Sequence, residues 1–364
     1  MSRVVITAAE TVCALGGDLD TCLQAWRDGR SGLVPEDGRL VGRIADRRLL
    51  KGRRYGAASN LAFHVARRAV ERAGWTPEQT ASAWLFAASS RGNAGELLGA
   101  HAWRRPSRRF SASNSMHSEI AAAASIELGL RGPWQLLSNG CSSGLDALGL
   151  AWMALKAGVT RRALVLAVDL PLLPELLRDF ADTRLLARSE RNDPLAPATA
   201  GFQPGEAGVA LTLELDRDGL AEVTDYRANS DAHDSLMVPE DGRGLAELLQ
   251  GLPAPALICP HATGTPNHAT AEVAALRTAF GDRLPPLLLL KPFTGHSLGA
   301  SGLLDTALLA AAMGQGPLPG NLPGLTCPAG VTLPATPISM PKDSTILKIA
   351  SGMGGHNAAV GLRG

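Results

Sequence analysis

An α/β architecture is predicted by three features of the sequence. Short apolar runs alternate with helical patterns along the chain. Runs such as 82–88, apolar after Ser82, and 287–290 lack polar alternation, as strands buried on both faces do. The same alternation resumes after 215–219. The chain therefore reads as one fold built from two similar halves, 1–217 and 218–364, rather than as two independent domains.

The elements follow in order. Residues 4–6 are apolar, with β-branched side chains, and predict a strand. Helices are expected over 21–27 and 59–73. In the second, Leu61, Val65 and Ala69 share one face and Gly74 is a stop. After the strand at 82–88, Arg104, Arg105, Arg108 and Arg109 surround Pro106 in a basic loop. An Ala-rich helix over 117–128 closes at Gly129. The strand 134–138 runs into Asn139-Gly140, and a helix over 145–156 ends at Gly158. Strands are expected at 163–168, 209–214 and 222–227. In the second half, helices at 245–249, 271–280 and 302–313 alternate with strands at 256–259, 287–290, 346–350 and 358–362.

Composition narrows the function classes. The 35 Lys+Arg against 34 Asp+Glu leave a net charge of +1, without the basic excess of a nucleic-acid binder. The longest apolar run, 163–177, is interrupted by Asp169, Pro171, Pro174 and Glu175, so no membrane span is expected. The N-terminus lacks the basic start and apolar core of a signal peptide. Five cysteines (Cys13, Cys22, Cys141, Cys259 and Cys327) form no CxxC pair, which points to reduced thiols in a cytoplasmic protein.

Cys141 stands out among them. It lies in Ser138-Asn139-Gly140-Cys141-Ser142-Ser143-Gly144, between a strand and a helix. Small neighbours permit a sharp turn, and a helix N-terminus favours thiolate. This is the logic of a nucleophile elbow. A free cysteine is more often a packing residue, and the local pattern leaves both readings open. Cys13, Cys22, Cys259 and Cys327 lack this context and read as packing residues.

His261 and His296 each fall in a loop just past an apolar strand, where open α/β sheets place ligands. The histidines show no HExxH or similar spacing, so no metal site is expected. Lys291 follows four leucines and needs a partner if buried; Glu272 is the expected one. Gly352-Met353-Gly354-Gly355-His356-Asn357 is a glycine-rich turn able to aim backbone N–H groups at an oxyanion.

Six segments in order resemble the β-ketoacyl synthase (condensing enzyme) family. Gly129-Leu130-Arg131-Gly132-Pro133 with Gly140-Cys141-Ser142-Ser143-Gly144-Leu145 resembles the nucleophile region. Gly201-Phe202-Gln203-Pro204-Gly205-Glu206-Ala207-Gly208 is similar to the central glycine-rich segment, and Asn229-Ser230-Asp231-Ala232-His233 to the opening of the second half. The loop from His261 to Pro266 resembles HGTGTP, that from Lys291 to His296 resembles KxxxGH, and that from Gly352 to Asn357 resembles GFGGTN.

The resemblance implies a thiolase-like, five-layered α-β-α-β-α fold of two pseudo-repeated halves. It implies a 3-oxoacyl-[acyl-carrier-protein] synthase-like acyltransferase that needs no cofactor. Cys141 would hold an acyl group, and His261 and His296 would bind the malonyl thioester carbonyl during decarboxylation. Backbone N–H groups of Cys141 and Met353 would form the oxyanion hole. Lys291 paired with Glu272 would steady the histidine loops, and Thr263, Thr265, Met353 and Gly354 would contact substrate.

The implied partners are an acyl carrier protein with acyl and malonyl thioesters, and a second subunit in a homodimer or in a heterodimer with a related ketosynthase. The arginines at 104–109, with Arg161 and Arg162, offer an electropositive surface for the carrier. The chain departs from the family pattern at Ala262 (for glycine), Ala269 (for aspartate), Met353 (for an aromatic) and His356 (for threonine). It is also shorter than usual members. Two other readings are a non-condensing acyltransferase and a non-catalytic, chain-length-factor-like subunit; such subunits typically lack the cysteine that Cys141 supplies.

Overall fold

The computed structural model describes residues 2–98 and 111–364. Strands β2 (Val34–Glu36) and β3 (Arg39–Val41) form a small separate hairpin. The other nine strands described make one mixed sheet. They are β1 (Val4–Cys13), β4 (Trp84–Ala88), β5 (Trp134–Leu137), β6 (Arg162–Asp169), β7 (Ala207–Leu215), β8 (Ala221–Ser230), β9 (Leu257–Cys259), β10 (Thr345–Ser351) and β11 (His356–Arg363), in spatial order β5-β4-β6-β7-β1-β8-β11-β10-β9.

That order contains a repeat. In the first half the opening strand, β1, lies antiparallel to the last, β7. β7 lies antiparallel to β6, and β6 parallel to β4. The second half repeats this with β8, β11, β10 and β9. The halves join where Val4–Ile6 of β1 pairs antiparallel with Val223–Ala221 of β8.

The buried side chains sort into layers. The helices Ala57–Arg72 and Glu119–Leu128 cover one outer face around Leu61, Val65, Ile120 and Leu164. The helices Arg243–Leu249 and Pro266–Phe280 cover the other around Leu249, Ile258 and Leu276. Between them lie the helices Ser143–Lys156 and Ser301–Met313, packed through Leu145, Leu148, Leu303 and Leu308. Residues 301–312 are all buried, and the sequence there is apolar nearly all round, as a helix enclosed on every side requires. This is the thiolase-like layering expected.

The structure corrects two readings. Residues 287–290 make only one bridge, Leu287 to Ile258, and Leu290 already has helical backbone, so they are not a full strand. The side chain of Asn321 replaces the missing neighbour: its Oδ1 accepts from the Leu289 N–H at 2.7 Å and its Nδ2 donates to the Leu287 carbonyl at 2.9 Å. A helix that the sequence did not predict, Pro174–Asp182, begins inside the run 163–177, with Pro174 in its first turn, while Asp169 ends β6. The basic loop at 104–109 lies outside the described residues.

The two central helices meet at their N-termini. A Cβ on Gly144 would lie 2.7 Å from the Gly299 carbonyl oxygen and 3.1 Å from Leu303 Cβ. Gly144→Ala should therefore cost about 2 kcal/mol by overpacking. A lower urea midpoint at unchanged slope is the expected signature.

Candidate active site

Cys141 sits in a single tight turn, Gly140–Ser142, at the start of the helix Ser143–Lys156. Gly140 has φ +76°, open to glycine at little cost, and a Cβ there would crowd the Met353 carbonyl at 3.3 Å. Asp169, at the end of β6, fastens the surrounding turns. It accepts from Ser89 Oγ (2.9 Å) and from the N–H groups of Ser90 (2.8 Å), Arg91 (2.9 Å) and Gly299 (2.8 Å). Ser90 Oγ in turn donates to the Gly140 carbonyl at 2.8 Å. Burial lifts the Asp169 carboxyl to about 6 against these four donors.

The structure brings Cys141, His261 and His296 together. Cys141 Sγ is 3.2 Å from His296 Nε2, and the two imidazoles meet edge to face at 5.3 Å. The His296 loop rests on the glycine-rich segment. His296 N–H donates to the Gln203 carbonyl (2.7 Å) and Gly205 N–H to the His296 carbonyl (2.9 Å). A side chain on Gly205 would collide with the Thr294 carbonyl, which explains that glycine. Phe202 packs on the His296 ring at 5.2 Å. Ala262 (φ +42°) and Leu298 (φ +45°), close to the two histidines, adopt left-handed backbone that strains a non-glycine residue.

The expected Lys291–Glu272 pair is not formed. Glu272 instead accepts from the backbone N–H groups of His261 (2.5 Å) and Ala262 (2.8 Å), holding that loop directly. The ion-pair partner of Lys291 is Asp305, at 3.8 Å, and Lys291 Nζ also donates to the His261 carbonyl. A second buried lysine, Lys348, was not foreseen. Its Nζ donates to Asp305 Oδ2 at 2.5 Å and to the Pro260 carbonyl at 3.1 Å. Sequence spacing could not reveal these pairings, because Asp305 and Lys348 lie on separate elements of the second half. Two signals were present: an aspartate in an otherwise apolar helix and a lysine in an apolar strand.

These charges set the protonation of the site. Burial, then Lys291, depress both His261 and His296 well below the usual histidine value, so both rings are neutral. Burial pushes the Cys141 thiol up to about 12 despite the opposing pull of Lys291. The thiolate expected from the helix terminus is therefore not the resting form. His296 Nε2, 3.2 Å away, is placed to take the thiol proton. Its Nδ1 lies 2.9 Å from Ser301 Oγ, a hydroxyl that can donate or accept and so admits either ring tautomer. The donor atoms of Cys141, His261 and His296 lie within 4.8 Å of one another. The adjacent Lys291 and Lys348 ammonium groups suit this cluster to an oxyanion rather than to a cation.

A cavity of about 670 Å³ opens onto the three side chains. Thr263, Thr265 and Met353 line it. Gly354 does not: it is an exposed turn residue, and Gly352 takes its place in the wall. Lys291 and Glu272 stand behind the wall. The Met353 N–H is near enough to the Cys141 sulfur to favour its charged form slightly. His356 closes the turn by placing Nε2 2.9 Å from Asp146 Oδ2, which holds its ring above the usual histidine value. His268 and Phe202 also line the cavity and were not foreseen as site residues.

Residues 51–218 match the family description "Beta-ketoacyl synthase, N-terminal domain" and residues 220–324 "Beta-ketoacyl synthase, C-terminal domain". The tetracenomycin polyketide synthase ketoacyl synthase alpha subunit of Streptomyces glaucescens is 30% identical over 273 residues, covering 67% of this chain and 63% of that protein. Across such Streptomyces relatives the chain spans about 57–64% of their length. A type II polyketide ketosynthase solved in complex with its acyl carrier protein superposes with a TM-score of 0.87 at 21% identity, covering 100% of this chain and 99% of that one. The ishigamide ketosynthase/chain length factor superposes with a TM-score of 0.86 at 21% identity, covering 100% and 99%. At these identities the structural likeness speaks to fold. Among the described residues, no helix is long and apolar enough to cross a membrane.

Because Cys141 rests as a thiol, its alkylation by iodoacetamide should accelerate about tenfold per pH unit from pH 7 to 10. Following the rate by intact mass checks this; a plateau below pH 8 would contradict it.

Proposed function

This chain belongs to the β-ketoacyl synthase family, and on that premise we propose that it catalyses decarboxylative condensation of an acyl thioester with a malonyl-carrier-protein thioester. The observation that carries the reading is the convergence of one thiol and two neutral imidazoles on one cavity, with a backbone N–H beside the sulfur. A thiol stores the acyl group, and neutral imidazoles donate to a developing enolate.

In the first half-reaction, the Cys141 thiol proton passes to His296 Nε2 as sulfur attacks the donor thioester. The C–S bond to the donor breaks, and its leaving thiolate takes that proton. In the second, the malonyl C–C bond to the carboxylate breaks and releases CO2. The electron pair forms an enolate whose oxygen accepts from His261 Nε2, and from His296 once its single ring proton has moved from Nδ1 to Nε2, a tautomer that the Ser301 hydroxyl admits by turning from acceptor to donor. The enolate carbon then attacks the acyl carbon, whose oxyanion accepts from the N–H groups of Cys141 and Met353. The C–S bond breaks, and Cys141 regains a proton from solvent. His261 Nδ1 is buried without a partner. An unfilled acceptor is less costly there than an orphaned N–H, which puts the ring proton on Nε2, the donor the enolate needs. Lys291, Lys348, Asp305 and Glu272 hold the His261 loop in place.

The proposal extends to a cytoplasmic 3-oxoacyl-[acyl-carrier-protein] synthase of polyketide or fatty-acid type, with halves 1–217 and 218–364. It would work in a dimer with itself or a related ketosynthase and receive an acyl carrier protein. Thr263, Thr265 and Met353 would contact the incoming thioester. Arg161 is exposed and free to meet the acidic carrier, whereas Arg162 is held by Glu214 at 2.9 Å. The intact Cys141 argues against a non-catalytic chain-length-factor role.

Intact-mass analysis over an acyl-thioester panel should show one acyl adduct, absent in Cys141→Ala. Adding malonyl-carrier protein should yield a 3-ketoacyl product. His261→Ala should lower that yield about 10²–10³-fold while still forming the adduct. Wild-type protein that takes no acyl group from any donor would favour the chain-length-factor reading. An adduct without 3-ketoacyl product would favour an acyltransferase.

A further inference from the structure

Neither half-reaction uses His268, the third imidazole of the cavity wall. It is 8% exposed, and its ring meets His261 edge to face at 4.9 Å. Its Nδ1 is enclosed, has no hydrogen-bond partner and lies 3.7 Å from Glu272 Oε2. Behind the ring is a small cavity of about 10 Å³, walled by His268, Glu272, Asp231 and Ser351 among others. That is room for about one water. Ser351 Oγ, the other unpartnered buried atom in that wall, would share such a water with Nδ1.

The surroundings of the ring fix its proton. Glu272 and Asp231 favour its protonation, while burial and then Lys291 oppose it and keep the ring neutral overall. A neutral imidazole carries one proton, and His268 differs from His261 in having a carboxylate 3.7 Å from Nδ1 and room for a bridging water between them, which draws the proton to that side. The opposite edge, with the Nε2 lone pair, then forms the part of the wall that faces the main cavity. A carboxylate behind a histidine with its lone pair toward substrate is the arrangement of a general base.

Condensation has no use for such a base, because its carbon nucleophile arises by loss of CO2. A nucleophile carrying an O–H does need one. We infer that the Glu272–His268 pair is a general base that directs an oxygen nucleophile, water or a small alcohol, onto the acyl group held by Cys141. The inference rests on the acylation of Cys141 proposed above. The nucleophile's oxygen bonds to the acyl carbon as its proton passes to His268 Nε2. The C–S bond breaks, Cys141 leaves as thiolate, and the imidazolium proton returns to sulfur through the neighbouring imidazoles. The product is a free acid from water or an ester from an alcohol. An acyl group that meets no malonyl partner is thereby cleared.

The test loads Cys141 from acetyl-CoA, removes excess donor and follows the acyl-enzyme by intact mass in H2O, in D2O and with ethanol. In wild type, decay should be slower in D2O and yield acetate, with ethyl acetate added if alcohols enter. His268→Asn should slow decay about 100-fold, and should lower the ratio of decay rate to malonyl-dependent condensation rate. Unchanged decay in a folded H268N variant would overturn the inference. So would an equal loss of decay and condensation, the mark of a merely structural role. Should H268N melt below the assay temperature, the wild-type D2O comparison decides, and equal rates overturn it. An acyl-enzyme that never forms overturns both the proposed function and this inference. One that forms and decays independently of His268 overturns the inference alone.

Discussion

At the centre of the second half two ammonium groups share one buried carboxylate. Lys348 and Lys291 lie 2.5 Å and 3.8 Å from Asp305, and all three side chains are nearly sealed from water. Removing three charges from solvent costs several kcal/mol each unless each is closely partnered. The partners are backbone carbonyls of one short segment: Pro260 accepts from Lys348 and His261 from Lys291. The helix Ser301–Met313, the strand β10 and the His261 loop are thus bound by one electrostatic requirement. Moving any one of them strands a charge.

That requirement also sets the chemistry. Burial, and then the positive potential of the lysines beside His261 and His296, keeps both rings neutral, each with one proton to donate. The same field attracts an enolate or a tetrahedral oxyanion. Burial keeps Cys141 a thiol even with His296 Nε2 beside it, which limits idle reaction of the sulfur.

Much of this was legible in the sequence, for identifiable reasons. Cys141 could be read because a sharp strand-to-helix turn demands small neighbours, a purely local constraint. His261 and His296 could be read because each follows an apolar run that ends at the same edge of the sheet. The Lys291 partner was misplaced because an ion pair depends on where helices cross, and adjacency along the chain favoured Glu272 over Asp305. Residues 287–290 were overread as a strand because an apolar run reports burial; whether a ladder forms depends on a neighbour, and Asn321 stands in for it. His268 escaped notice because nothing in its local sequence separates it from a core histidine. Its relation to Glu272, one helical turn on, acquires meaning only beside the cavity.

The way each half closes its sheet has a consequence for how the chain is made. β1 finds its main partner in β7, as with Val4 opposite Leu215, so this strand waits some 200 residues for its neighbour during synthesis. β8 likewise waits for β11, the last strand. Contacts of such long sequence separation are entropically late, which makes folding slow and leaves strand edges uncovered while translation proceeds. In each half the segments bearing the reactive side chains lie between the two strands that must meet. The cluster of Cys141, His261 and His296 is therefore assembled only once β11 has been made, and a chain cut before it would carry the thiol without its two imidazoles in place.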